Sequence, residues 1–181
     1  TFVGTLGTSA CYLLLSEAPL SVRGISGVVR DGAVPGLWCY EAGQPAFGDA
    51  LAWYARAYPC AATAEASIEA YAAASAALPA GTDALVALDW WNGCRCPHAD
   101  TGLSGLVVGM TLATSPVEVF RALENSLCFG ARAIRDNFTA AGVGASRVVI
   151  GSGVAERMPT PAAAHSTGSP ARASPCFSSR R

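Results

Sequence analysis

A mixed α/β domain is what this sequence predicts, and three observations carry the prediction. The first third consists of short β-branched or aliphatic runs broken by Gly and Pro, the punctuation expected of adjacent antiparallel strands. Residues 116–141 repeat apolar side chains at intervals of three and four, the period of one helix face. The chain has 181 residues, 51% hydrophobic and 14% charged, which is long enough for one domain with a real core and too apolar for disorder.

The runs TFVGTLG, SACYLLLSE and SVRGISGVVRDG supply the strands. A turn-rich stretch, AVPGLWCYEAGQ, leads into a helix at 47–58, where Ala50, Leu51, Trp53 and Tyr54 share a face. Residues 63–78 form a second helix by propensity, with Thr63 as its N-cap. PAGTD ends it, and DALVALDWW reads as a buried strand. The clearest helix follows at 116–141. Ser115 and Glu118 make a capping box, and Pro116 takes the first helical position, where a missing N–H costs nothing. Phe120, Leu123, Leu127, Ala131, Ile134 and Phe138 line its apolar face, and Gly142 stops it. Gly130 lies in mid-helix at a cost of about 1 kcal/mol relative to Ala, so the close approach of another backbone is its expected use. SRVVIGSG (146–153) is a short strand emptying into a Gly-rich turn. From Met158 onward no apolar period remains, and Pro, Ser, Ala and Arg dominate. The expected organisation is a folded unit over 1–157 and a disordered tail over 158–181.

A net charge of -1 gives no electrostatic reason to expect nucleic acid or an anionic membrane as partner. No signal-peptide pattern opens the chain, and no apolar run approaches the roughly 20 residues of a membrane span. All the basic side chains are Arg, which excludes a catalytic lysine within these residues. The seven cysteines are odd in number and irregularly spaced, unlike a secreted disulfide framework. Cys11, Cys39 and Cys128 sit among apolar residues, where a free thiol behaves as a small hydrophobe, and a reducing compartment is expected. The chain starts at Thr1, already inside an apolar segment, which looks like a cut.

DWWNGCRCPH (89–98) raises the question of a metal site. Zinc takes four ligands, usually from paired C-x-x-C clusters. A C-x-C spacing around an Arg is poor for that purpose, and the other histidine, His165, falls in the tail. A surface loop with incidental thiols is the better reading. GTLGTS (4–9) is a Gly-Thr-Ser turn between two strands, whose amides and hydroxyls can line a triphosphate. IGSGVAER (150–157) is a strand running into a Gly turn that lets a flat base approach the backbone. Neither is a P-loop, and no GxGxxG occurs. The residues alone lead to a mixed α/β domain able to bind a nucleotide.

Several segments in order carry the reading further. GTSACYLLLSEAP, RGISGVVRDGAVPGLWCYEAGQPAFGDALAWY, ALDWWNGCRCP, LSGLVVGMTLATSPVEVFRAL and FGARAI together resemble the C-terminal half of the FGGY carbohydrate kinase family, in its ribulokinase branch. The resemblance covers residues 1 to about 157. It implies an actin-like, ribonuclease-H-like ATPase fold, truncated here, with ATP and sugar held in a cleft between two such domains. By position it implies that Gly7, Thr8 and Ser9 form the phosphate-contacting hairpin, that Gly48 is a nucleotide-contacting glycine, and that Gly153 belongs to the adenosine turn. Asp89, Asn92 and Arg95 take the polar places of the DWWNG-x-R motif. The resemblance also implies ATP with Mg²⁺, a ketose acceptor such as ribulose, and a cytoplasmic enzyme of pentose catabolism; that no nucleic-acid or membrane partner is expected rests on the charge and hydropathy above. It leaves a homo-oligomer open.

The departures carry expectations too. Ser152 and Met158 stand where relatives have a Gly and an Asn in the adenosine turn, and Asn125 stands where they have an acid, with Glu124 displaced by one. The change of character near residue 157 suggests a frame-shifted tail. The family's general-base Asp lies ahead of the hairpin, so no catalytic residue is assigned within this chain, and the chain alone is expected to be inactive. A remnant without catalysis and an interaction module that docks on an intact homologue are the alternatives.

Overall fold

The computed structural model describes residues 1–79 and 84–151. The expected tail at 158–181 and the turn containing Ser152, Gly153 and Met158 lie outside the described residues. The elements run β1 (Phe2–Leu6), β2 (Ala10–Ser16), β3 (Gly27–Arg30), β4 (Trp38–Gln44), α1 (Gly48–Ala57), α2 (Ala64–Ala77), β5 (Val86–Leu88), β6 (Leu106–Val108), α3 (Pro116–Ala140) and β7 (Val148–Gly151).

Five strands form one sheet in the order β3-β4-β2-β1-β7. Its first four strands are antiparallel to their neighbours, and β7 returns parallel to β1 after the α3 crossover. The alternation of β2 sends Ala10, Tyr12 and Leu14 to one face. With Phe2 and Tyr40 they meet the apolar stripe of α3, and Phe138 makes edge contacts with both Phe2 and Tyr40 at ring-centroid distances of 6.4 Å. All six stripe residues expected on α3 are buried. The capping box forms as expected: Ser115 Oγ accepts from the Glu118 amide, and the Glu118 carboxylate accepts from the Ser115 amide. Gly142, at φ +86°, ends the helix in the left-handed region that a side chain would oppose.

α1 and α2 pack beside α3 through aromatic contacts, including Tyr71 stacked on Phe120 at 5.1 Å. Thr63 caps α2 by accepting from the Ala66 amide. The two-stranded ribbon β5–β6 lays Ala87 and Val107 against Ala122 and Val119 of α3. Among the described residues no helix is long and apolar enough to cross a membrane.

Several expectations need correction. The stretch read as turn-rich contains β4, a central strand, because Tyr40, Ala42 and Gln44 alternate inward between β2 and β3. The third strand shortens to Gly27–Arg30 and pairs with β4, not with β2. Trp53 leaves the buried face of α1, which is completed by Ala55 instead. DALVALDWW is only a three-residue strand with Val86 exposed, because its ribbon is covered on one side alone. Cys94 and Cys96 are buried thiols, not surface ones. Cys128, expected as a free thiol, is disulfide-bonded.

Candidate functional site

The β1–β2 connection is where sequence and geometry converge. Residues 7–9 turn the chain, with the Gly7 amide donating to the Ser9 carbonyl at 2.9 Å. The turn's remaining carbonyls serve α1. Phe47 donates its N–H to Thr8 O at 2.9 Å, Gly48 to Gly7 O at 2.9 Å, and Asp49 to Thr8 O at 3.2 Å. These amides belong to the start of a helix whose N-cap residue, Phe47, contributes no side-chain cap. The turn itself is therefore the cap, satisfying donors that would otherwise be orphaned. Gly7 and Gly48, 41 positions apart in sequence, are brought side by side by this bond.

What the turn keeps for a ligand follows from the same accounting. Among the described residues, the Thr8 and Ser9 amides have no acceptor and their hydroxyls no partner, and both residues are exposed. Two amides and two hydroxyls thus remain unbonded on an exposed bend, donors of the kind that bind anions. A Cβ at Gly7 would meet nothing closer than Ser9 O at 3.6 Å, so the fold itself does not require glycine there. Close approach of a ligand to the main chain is the remaining physical use. Gly48 brings no donor, since its amide is already bonded to the Gly7 carbonyl. Gly153 lies outside the described residues.

The DWWNGCRCPH segment is a structural corner. Asp89 points inward: its Oδ2 accepts from Gln44 Nε2 at 2.5 Å. Burial raises the Asp89 carboxyl above the usual range, while the Gln44 bond and its own backbone pull it back. Trp91 stacks on Trp53 of α1 at 5.5 Å and covers Gly105, whose missing Cβ makes room for the indole. Trp90 sets its edge against His98 at 5.5 Å. The Cys94 thiol donates to the Cys96 carbonyl at 3.3 Å, and Asn137 Nδ2 reaches the Cys96 sulfur at 3.7 Å. Burial pushes the Cys94 thiol up and the Cys96 thiol to about 11, which keeps both protonated and poor as ligands or nucleophiles near neutral pH. Among the described residues, no three His, Cys, Asp or Glu side chains converge as metal ligands.

Sequence reasoning missed Gln44. The close approach expected at Gly130 is also not by backbone: a Cβ there would overlap Asp89 Oδ2 and stand 2.5 Å from Gln44 Nε2. The signal for Gln44 was present only as a polar residue at an inward position of a strand that composition disguised. Glu124, one place from the expected acidic position, faces α2, where its Oε2 accepts from Ser75 Oγ at 2.5 Å. Burial pushes its carboxyl up to about 7, against the pull of Ser75 and Arg121. Neither contact places it at the turn.

Comparison with known proteins adds the following. Residues 2–175 match the model of the FGGY family of carbohydrate kinases, C-terminal domain. A ribulokinase of Halalkalibacterium halodurans is 45% identical over 148 residues, covering 78% of this chain and 26% of that protein. One of Anoxybacillus flavithermus is 40% identical over 162 residues, covering 86% of this chain and 29% of that protein. A solved xylulose kinase from Rhodospirillum rubrum superposes with a TM-score of 0.77 at 24% identity, over 86% of this chain and 30% of that one. A glycerol kinase from Plasmodium falciparum, solved with ADP, does so at 0.67 and 17% identity, over 87% and 31%. The two structures show the sugar-kinase, actin-like fold. The chain spans between a quarter and a third of the length of these relatives.

Proposed function

This chain belongs to the FGGY family of carbohydrate kinases, and on that footing we propose that it is the nucleotide-side lobe of an enzyme that phosphorylates a ketopentose, ribulose first among the candidates. The observation that carries the reading is the exposed set of unbonded donors on the 7–9 turn, held by the start of α1. ATP, entering with Mg²⁺, supplies the γ-phosphoryl group. The Thr8 and Ser9 amides and hydroxyls bind and orient the phosphate oxygens, and Gly7 and Gly48 let the main chain come close. In-line phosphoryl transfer depends on such positioning and on charge stabilisation more than on covalent participation by the protein. Preorganised main-chain amides suit that work because they need no reorientation during the reaction.

The likeness to ribulokinases, at 45% and 40% identity in the two relatives above, supports a ketose as acceptor. A cytoplasmic place in sugar catabolism is part of the same proposal. A domain division at residue 157 is kept as part of this proposal, with Gly153 as the adenosine-side glycine.

Titration of this chain with MgATP, followed by the amide resonances of residues 7–9, tests the lobe assignment. The expected result is saturable shifts at Thr8 and Ser9 that Thr8→Val weakens by about 1 kcal/mol, the size of one hydrogen bond. Saturating shifts confined to other residues would overturn it. The acceptor is tested on the whole protein carrying this domain: ADP release dependent on ribulose supports the proposal, and release dependent on another sugar alone replaces the substrate.

A further inference from the structure

Beneath the 7–9 turn lies a buried polar chain with no part in the binding surface itself. Tyr12 in β2, Gln44 at the end of β4 and Asp89 just after β5 are all buried. Each bond between them has only one possible direction. Gln44 Nε2 uses both protons, one on Asp89 Oδ2 at 2.5 Å and one on the Leu127 carbonyl at 3.1 Å. Its Oε1 is therefore the acceptor for the Tyr12 hydroxyl, 2.8 Å away. An amide held at three points in a water-poor interior has one orientation, and losing a partner leaves a costly unpaired group.

Gln44 is close to the turn in two ways. It stands opposite Ala10, the first residue after the turn, in the β2–β4 register. Only Pro45 and Ala46 separate it from Phe47, whose N–H opens the bonds into the turn. Pro45 has a preset φ and Ala46 is buried, so a displacement at Gln44 reaches Phe47 with little slack. Gly130 completes the arrangement. Helix α3 forgoes about 1 kcal/mol of helix propensity at a position where any Cβ would push Asp89 and Gln44 away.

We infer that Asp89 is a positioning residue for the phosphate-facing turn, acting through Gln44 on the 44–49 segment, and that Gly130 is the socket that admits it. The inference rests on the nucleotide-lobe reading for what the turn binds, but its mechanical part is independent of any ligand.

Hydrogen exchange on the full chain tests that part. In Asp89→Ala the amides of Phe47, Gly48 and Asp49 should exchange at least about tenfold faster, beyond any change at core amides such as Tyr12 and Tyr40. Asp89→Asn keeps an acceptor oxygen and should return these three amides to within about threefold of wild type. Leu85→Ala, which empties the smaller cluster that Leu85 forms with Ala87 and Ala122, is the control and should speed all protected amides together. Acceleration in Asp89→Ala that is uniform, or absent at 47–49, overturns the inference. Should Asp89→Ala not fold, the wild-type chain carries its own check. Both Gln44 side-chain protons should exchange about a hundredfold more slowly than those of an exposed glutamine, and ordinary exchange would overturn the inference. Failure of MgATP to bind would count against the lobe reading alone, because the exchange result stands without a nucleotide.

Discussion

Glu124 gives the fold a pH dependence that one substitution should remove. Its carboxyl is raised from the ordinary 4.5 to about 7, chiefly because α3 buries it against α2. Ser75 Oγ donates to it, and Arg121, whose guanidinium also donates to the Ser75 carbonyl at 2.5 Å, favours the ionised form without overcoming the burial. A carboxyl raised on folding holds its proton in the native state while the unfolded chain has released it. Its stabilising contribution is therefore complete below pH 4.5 and is lost as pH rises through about 7. At about 1.4 kcal/mol per pH unit, that interval amounts to roughly 3 kcal/mol. The figure is an upper bound, since an ionised Glu124 can rotate toward water. Glu124→Gln keeps an acceptor for Ser75 and cannot ionise. With a urea dependence of about 1–3 kcal/mol per molar, the variant's unfolding midpoint at pH 8 should exceed that of wild type by up to roughly 1–3 M. At pH 4.5 the two should nearly coincide. Asp89, also raised by burial, contributes with the same sign in both proteins, so the difference between them isolates Glu124. Urea melts of both from pH 4.5 to 8.5 decide the matter. Parallel curves, or a wild type that gains stability relative to the variant as pH rises, would refute the reasoning.

Two further substitutions probe the frame. Gly130→Ala, stabilising in an ordinary helix, should cost about 2–4 kcal/mol here, because overpacking and displaced buried hydrogen bonds outweigh the propensity gain. Gly144→Ala, where a Cβ meets nothing within 4 Å, should be neutral or stabilising by up to about 1 kcal/mol, and chemical denaturation of both separates the two cases. Ser115→Ala removes the cap of α3 and should cost about 1 kcal/mol, read as a lower thermal midpoint.

The helices and the edges of the site were legible in the sequence for local reasons. Ser115, Pro116, Glu118 and Gly142 act within one turn of themselves, and the α3 stripe needs only its own period. β4 was not legible, because Trp38–Gln44 contains Glu, Ala and Gly, residues that strands avoid unless neighbours on both sides impose the pairing. Once β4 was mistaken for turns, the position of β3 and the inward aim of Gln44 were lost with it. At the turn, resemblance named Gly7, Thr8 and Ser9 as a hairpin and Gly48 as a separate glycine, and the bond from the Gly48 amide to the Gly7 carbonyl joins the two. The capping of α1 by turn carbonyls is a long-range main-chain bond that leaves no mark on side-chain composition.

Glycine marks the limit of such reading. At Gly130 a helix pattern interrupted by glycine announced that something comes close, but no sequence feature said whether it would be backbone or side chain. The answer depends on Asp89, 41 positions earlier and beyond the end of β5, and on Gln44, misread as part of a turn. At Gly7 the situation is reversed: the fold leaves room for a side chain, and glycine is required only if something outside the described residues lies against the bend. One glycine thus answers to the chain's interior and the other to what the chain holds. Substituting each by alanine separates the two roles. Gly130→Ala should lower stability, whereas Gly7→Ala should leave the unfolding midpoint within about 0.5 kcal/mol and weaken MgATP binding instead. A Gly7→Ala variant that binds MgATP as tightly as the parent would remove the argument for close approach at the turn.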